Sequence, residues 1–421
     1  MTSAHNRATA HLIQRVLPAT RTFLMKKIGF VIPWYSENIP GGAEMELRGL
    51  TTHLHESGVE VEILTTCVKE FSADWNRNHF KKGVEKVHGF TLRRFKVRKR
   101  DTAAFDAVNY KIMNGLPLTA EEETTYVNES VNSPDLYKYM ADHKDEYSLF
   151  VFIPYMFGTT YHGMQVCPEK TVLIPCFHDE PYVYMDVYKP VFEKIAGIIY
   201  HAQPEYELAN RIFDLKNVRQ AVLGEGVYTE LTSDGERFRN KYGIKDDFIL
   251  YAGRKDTGKM VHVLIKYFDE YKKRQSSKLK LVLIGGGRID MPEDAVKRGD
   301  IIDLGFIDVQ DKYDAQAAAL TLCQPSQFES FSLVIMESWL NRRPVMVNAK
   351  CEITRNFASV TNGGLYFDNY FEFEGALNYL VNHPDIADQM GENGRNYVLS
   401  NFAWDVIVER YMNFFKDIAN K

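Results

Sequence analysis

The sequence predicts an α/β protein of two doubly wound parallel-sheet domains facing a cleft, and three observations carry that prediction. At 421 residues the chain is too long for one typical core and long enough for two. From Lys26 onward, short apolar runs alternate with amphipathic segments, the pattern of βαβ units. After VRQAVLGEGVYTE, residues 218–230, the alternation starts again.

Each element follows from its own residues. Residues 1–25 carry three arginines and no acid, the composition of a transit peptide or interfacial helix, and are expected as a loosely ordered extension ahead of MKKIGFVIPWY. KIGFVIPWY reads as a strand, EMELRGLTTHLHESG as a helix closed by Gly58, and VEVEILTT as the next strand. Residues 101–146, of mixed polarity, read as a partly helical insertion. SLFVFIPY, TVLIPCF and AGIIYHA are further buried strands, and ELANRIFDL a helix, completing a first domain over residues 26–224. A second domain over residues 225–400 repeats the plan. Its strands are DFILYAGR, LKLVLIGGG, IIDLGFI, TLCQPS and RPVMVN; its helices are MVHVLIKYFDEYKKRQ, DKYDAQAAAL and SLVIMESWLN. Residues 401–421 form an amphipathic helix expected to pack back toward the first domain.

Composition narrows the function. A net charge of -5 argues against nucleic acid as a partner, since phosphate binding needs a basic footprint. The five cysteines are widely spaced with no CxxC pair, so neither a zinc motif nor a disulfide framework is expected, and a reducing cytoplasm fits. The longest uncharged run, Tyr147 to Met164, is interrupted by Pro154 and His162; it reads as a buried strand followed by a loop, not a membrane span.

Three places carry charge or glycine where a strand ends. Gly41 and Gly42 precede a helix, an arrangement that exposes backbone amides to a phosphate but by itself marks only a turn. In YAGRKDTGK, Arg254 and Lys259 flank a strand-to-helix turn and can converge on a diphosphate. In PSQFESFSLVIMESW, Ser330 or Ser332 is expected to cap a helix whose free amides lie near Phe331 to Val334. Glu329 in the loop can then accept sugar hydroxyls and Glu337 vicinal ribose hydroxyls, although either acid alone reads as a plain loop or wet-face carboxylate.

These elements resemble the retaining glycosyltransferases of family 4, of the glycosyl transferases group 1 type, whose two Rossmann-like domains form the GT-B fold. The resemblance covers most of the chain from Lys26 on. It rests on Gly41, Gly42 and Glu44, on His178 and Asp179, on Gly253, Arg254 and Lys259, on LVLIGGG and DLGFID, and on Glu329 and Glu337. It implies that Arg254 and Lys259 hold the diphosphate of a nucleotide-sugar donor, Glu329 the transferred sugar and Glu337 the ribose. The amides of Phe331, Ser332 and Leu333 would complete the site, with Gly41, Gly42 and Gly253 beside it. His178 would face the donor sugar, making His178, Glu329, Arg254 and Lys259 the catalytic set. The resemblance implies no cofactor and no divalent metal.

Three positions depart from the pattern: the hinge reads EGVY with Glu225 and Tyr228, Met260 stands where glycine is expected after Lys259, and NRRPVMV lacks the usual glycine before Pro344. The function implied is retaining transfer of a hexose-type sugar to a glycan or lipid-linked glycan in bacterial surface polysaccharide synthesis. A non-catalytic nucleotide-sugar-binding partner, an epimerase or a sugar phosphorylase would share the architecture; IGGGRID lacks the GxGxxG spacing of a dehydrogenase. RRFKVRKR, residues 93–100, reads as a solvated strand edge or as a patch for anionic lipid at the inner face of a membrane. Tyr155, Phe157, Tyr182 and Tyr184 are candidates to stack on an acceptor sugar.

Overall fold

The computed structural model describes residues 26–37, 39 and 41–420. The expected extension over residues 1–25 lies outside the described residues. Two sheets organise the rest. The first contains β1 (Lys27–Ile32), β2 (Val61–Thr66), β3 (Gly83–Val87), β4 (Phe90–Phe95), β5 (Tyr147–Phe152), β6 (Thr171–Leu173), β7 (Gly197–Tyr200) and β8 (Arg219–Val222), in the order β3-β4-β2-β1-β5-β6-β7-β8. Only β3 runs antiparallel to its neighbour. The second contains β9 (Phe248–Ala252), β10 (Lys280–Ile284), β11 (Ile301–Gly305), β12 (Thr321–Gln324), β13 (Val345–Asn348) and β14 (Gly364–Phe367), all parallel, in the order β11-β10-β9-β12-β13-β14.

The inner strands are buried on both faces. β2 and β9 are buried along their whole length, which is why they read as unbroken apolar runs. Strand order reverses beside β1 in the first sheet and beside β9 in the second. Chain segments leaving the C-terminal ends at such points splay apart and leave a crevice.

The helices that line or brace this crevice are α1 (Gly42–Glu56), α2 (Gln203–Ile212), α3 (Gly235–Tyr242), α4 (Val261–Arg274), α5 (Val309–Ala318), α6 (Leu333–Leu340), α7 (Glu352–Thr361) and α8 (Trp404–Ala419). In α1 the stripe Leu47, Leu50 and Leu54 faces the sheet with no more than 1% exposure, each leucine contributing about 1.5–3 kcal/mol by burial. α8 returns from the second domain onto the first: Trp404 lies against Gly49 of α1, and Phe414 and Ile418 against Gly197.

Several expectations need correction. The run after β5 holds a short helix, Gly158–Met164, where a loop was expected; Gly158 lets its start approach the carbonyls of Val127 and Val131. The insertion is more regular than its mixed polarity suggests, with helices Thr102–Met113, Ala120–Glu129 and Pro134–His143. Of the basic run at residues 93–100, the four arginines are held by partners, while Lys96 and Lys99 are exposed. Arg93 pairs with Glu62 at 2.8 Å, and buried Arg94 donates to Glu85 and to the Tyr35 carbonyl. Arg98 is held by both oxygens of Glu129, and Arg100 lies over Trp75 and Phe105. Arg98 and Arg100 thus tie the segment after β4 to the insertion, while Arg93 and Arg94 tie β4 to its neighbouring strands. Among the described residues no helix is long and apolar enough to cross a membrane.

Candidate functional site

The second domain supplies the charged half of the crevice from adjoining strand ends. The turn after β9 and the glycine run after β10 interlock: a Cβ at Gly285 would lie 1.9 Å from the Gly253 carbonyl oxygen, and one at Gly287 would lie 2.7 Å from that of Lys255. Side chains are excluded there because backbone meets backbone. Lys255 turns inward to buried contact with Asp303, whereas Arg254 points out, its side chain 71% exposed and 3.6 Å from Asp256 at its nearest carboxylate. The Arg254 side chain thus reaches solvent, held among the described residues only by this long, exposed pair.

Lys259 opens toward the next strand end and donates to Glu329 Oε1 at 2.8 Å, while Gln324, the last residue of β12, donates to the same oxygen at 3.0 Å. Sequence placed these two residues on different parts of one ligand; the structure pairs them with each other. Glu329 Oε2 keeps its acceptor capacity. Met260 follows in the left-handed region at φ +57°, and Arg342 stands there at φ +56° two residues before Pro344. The two departures near expected glycines therefore keep a glycine-like backbone with larger side chains.

The start of α6 differs from its expected form. Ser332 occupies the cap position at φ +82°, but its hydroxyl makes no cap bond and is buried without a partner among the described residues; Phe331 beside it is 1% exposed. The amides at Leu333 and beyond form the helix start. Glu337 is 8% exposed, and both its oxygens are engaged, one by Lys312 at 2.5 Å and the other by Gln316 at 3.1 Å, both on α5. Ribose binding by Glu337 therefore requires exchange of one of these bonds.

In the first domain, Gly41 is the extended residue before α1 and Gly42 the first helical one. A Cβ on Gly41 would fall 1.8 Å from Glu44 Oε2, and Trp34 donates its indole N–H to the other oxygen. The glycine therefore makes room for the chain's own carboxylate, which already sits at the positive end of α1.

His178 lies on the loop after β6, partly exposed, with Nδ1 3.4 Å from Glu180 and its ring 6.2 Å from that of Phe328 in the second domain. Between the halves is a cavity of about 200 Å³ lined by His178, Glu205, Phe328, Glu329, Lys350 and Glu352 among others. The structure thus brings His178 and Glu329 to one cavity although 151 positions separate them. Of the four aromatic candidates, Tyr155 and Phe157 are core residues and Tyr182 donates to Asn109; Tyr184 is 47% exposed, its hydroxyl on Asp179.

Sequence reasoning missed the support beneath this cavity. His201 Nε2 meets Glu46 Oε1 of α1 at 2.7 Å, and Glu205 accepts the backbone N–H groups of His201 and Phe177, each at 2.7 Å. Burial alone would depress the imidazole, but the carboxylates of Glu46, Glu205 and Glu225 raise it to about 10. The His201 and Glu205 spacing of four on a helix start was the one local signal.

The profile of the family described as Glycosyl transferases group 1 matches residues 234–397. The chain is 22% identical over 299 residues to the O-antigen chain mannosyltransferase C of Escherichia coli, covering 65% of this chain and 76% of that one. Sucrose-phosphate synthase from Thermosynechococcus elongatus superposes with a TM-score of 0.65 at 17% identity, over 93% of this chain and 99% of that one. Anabaena HepE, solved in complex with UDP and glucose, superposes with a TM-score of 0.63 at 15% identity, over 93% of this chain and 100% of that one. The chain has the two-domain GT-B fold, and residues 234–397, within its second domain, match the glycosyl transferases group 1 profile.

Proposed function

We propose that this protein is a retaining, metal-independent glycosyltransferase that moves a hexose-type sugar from a nucleoside diphosphate sugar to a glycan or lipid-linked glycan acceptor. The observation that carries the reading is the shared cavity, with His178 on one wall and Glu329 on the other, Glu329 being held from behind by Lys259. Similarity to an O-antigen mannosyltransferase supports surface polysaccharide as the setting.

In this reading the donor diphosphate meets Arg254, Lys259 and the amides at the start of α6. The bond from the anomeric carbon to phosphate oxygen breaks, charge grows on the leaving diphosphate, and these fixed donors stabilise it where it develops. The acceptor oxygen attacks from the same face and its proton passes to the departing phosphate oxygen, so no protein base is needed and configuration is retained. Glu329 orients the sugar through its uncommitted oxygen, and His178 bonds a hydroxyl from across the cavity.

The test is thermal stability, metal chelated, against UDP, GDP, ADP, CDP and dTDP. A ligand at a hundred times its Kd stabilises by about 2.7 kcal/mol. One base is expected to shift the transition, and Arg254→Ala, which removes an exposed side chain, is expected to abolish that shift without changing the unliganded Tm. No shift with any base counts against the reading. Inverted anomeric configuration in the product, read by NMR, would refute retention.

A further inference from the structure

We propose that Glu205 is a positioning residue for His178, holding the loop after β6 in place from beneath the cavity. The inference rests on the proposed function only in giving His178 work at the sugar. β6 is three residues long, and its ladder ends early: Ile174 still donates to the Phe152 carbonyl, but of the backbone N–H groups of residues 176–178 only that of Phe177 has a partner among the described residues. That partner is Glu205 Oε1, at 2.7 Å. The preceding residue, Cys176, stands at φ +57°, a conformation that a non-glycine residue keeps only when its surroundings fix it.

The other oxygen of Glu205 accepts from the His201 amide at 2.7 Å, so one carboxylate staples the segment after β6 to the end of β7. The side chain has no freedom to do otherwise. Glu205 is 1% exposed and His201 2%; the imidazole Nδ1 lies 3.8 Å from Glu205, and its Nε2 is held by Glu46, itself 4% exposed. The chain of contacts thus runs from α1 through His201 and Glu205 to the amide next to His178. A glutamine cannot replace this carboxylate: its single oxygen serves one amide, and its NH2 group would face the other N–H donor to donor.

Glu46, Cys176 and His201 also offer three ligand atoms within 4.8 Å of one another. The 2.7 Å contact between Glu46 and His201 is a hydrogen-bonded length, which fits an ion pair and leaves no room for a cation between those two atoms.

The test uses the full chain labelled with 15N-phenylalanine and 13C-histidine, the Phe177 amide being assigned through Phe177→Leu. Glu205→Gln is expected to move the Phe177 amide, to speed its hydrogen exchange by about tenfold or more, and to move the His178 Cε1–H resonance while exposed His262 stays in place. A residue that only stabilises the fold would lower Tm and leave His178 unmoved, and that outcome overturns the proposal. Should Glu205→Gln not fold, Glu205→Asp, which keeps the charge but sets the carboxylate one methylene back from the Phe177 amide, carries the same test. Stoichiometric zinc by elemental analysis of the purified protein would also overturn it, by making the cluster a metal centre. With the donor identified, kcat is expected to fall about 10- to 100-fold with donor KM unchanged, the scale of a small misplacement. An unchanged kcat with His178 displaced would uphold the positioning and remove His178 from the proposed reaction.

Discussion

At the scale of single residues, the departures from the family pattern are where backbone and side chain conflict. Met260 sits in the left-handed region at φ +57°, just before α4, in a place where glycine is expected. That conformation costs an ordinary residue about 1–2 kcal/mol, while glycine would lose about 0.5–1 kcal/mol more chain entropy on folding. The first term exceeds the second. Met260→Gly is therefore expected to stabilise the protein by up to about 1 kcal/mol in urea unfolding, and Met260→Val, β-branched, to destabilise it. If glycine destabilises by more than about 0.5 kcal/mol, the methionine side chain packs for gain and the conformational argument is wrong.

At the scale of elements, ion pairs join helices that hydrophobic pattern alone leaves loosely specified. Asp314 of α5 is fully buried and accepts two bonds from Arg237 of α3, one from the backbone amide of Asp234 and one from the side-chain amide of Gln310. Burial by itself would raise its pKa, but these donors together hold it below the usual value. A depressed folded pKa contributes stability above the unfolded value, near 3.9, and loses it as pH falls through the folded one. Asp314→Asn is thus expected to lower stability at pH 7 by about 1–3 kcal/mol, discounted because Arg237 is 45% exposed and can hydrate. The Tm gap from wild type is expected to close below about pH 4, and a gap constant from pH 7 to pH 3 would show that shape, not charge, matters.

Elements also set what the sequence could reveal. Inner strands such as β2 and β9 were legible because burial on both faces leaves a continuous apolar run; β8 and β14 were not, since these four-residue edge strands are part exposed and their pairing comes from neighbours. The site divides in the same way. Arg254, Lys259 and Glu329 announce themselves beside glycine turns and strand ends, within a few residues of their structural cause. The pairing of Glu46 with His201 spans 155 positions and leaves no local trace.

At the scale of the whole molecule, the last helix joins the two domains, and glycine makes the joint possible. α8 follows the second domain yet lies on the first: Tyr411 donates to the Gly224 carbonyl in the hinge at 3.0 Å, and Asp417 pairs with Arg219 of β8 at 3.0 Å. The ring of Trp404 fills the space between α1 and the hinge. A Cβ on Gly49 would come within 2.3 Å of it, and one on Gly226 within 2.2 Å, so neither position admits even a methyl group unless the indole moves. Gly49→Ala is therefore expected to destabilise by about 1–3 kcal/mol through overpacking, although alanine is intrinsically the better helix residue. If the indole is the obstacle, the same substitution made in a Trp404→Ala background should cost little or should stabilise, giving a coupling of about 0.5–3 kcal/mol in a double-mutant cycle. Additive effects would mean that Trp404 does not occupy that space in solution, and that α8 is not the strut between hinge and first domain that its contacts describe.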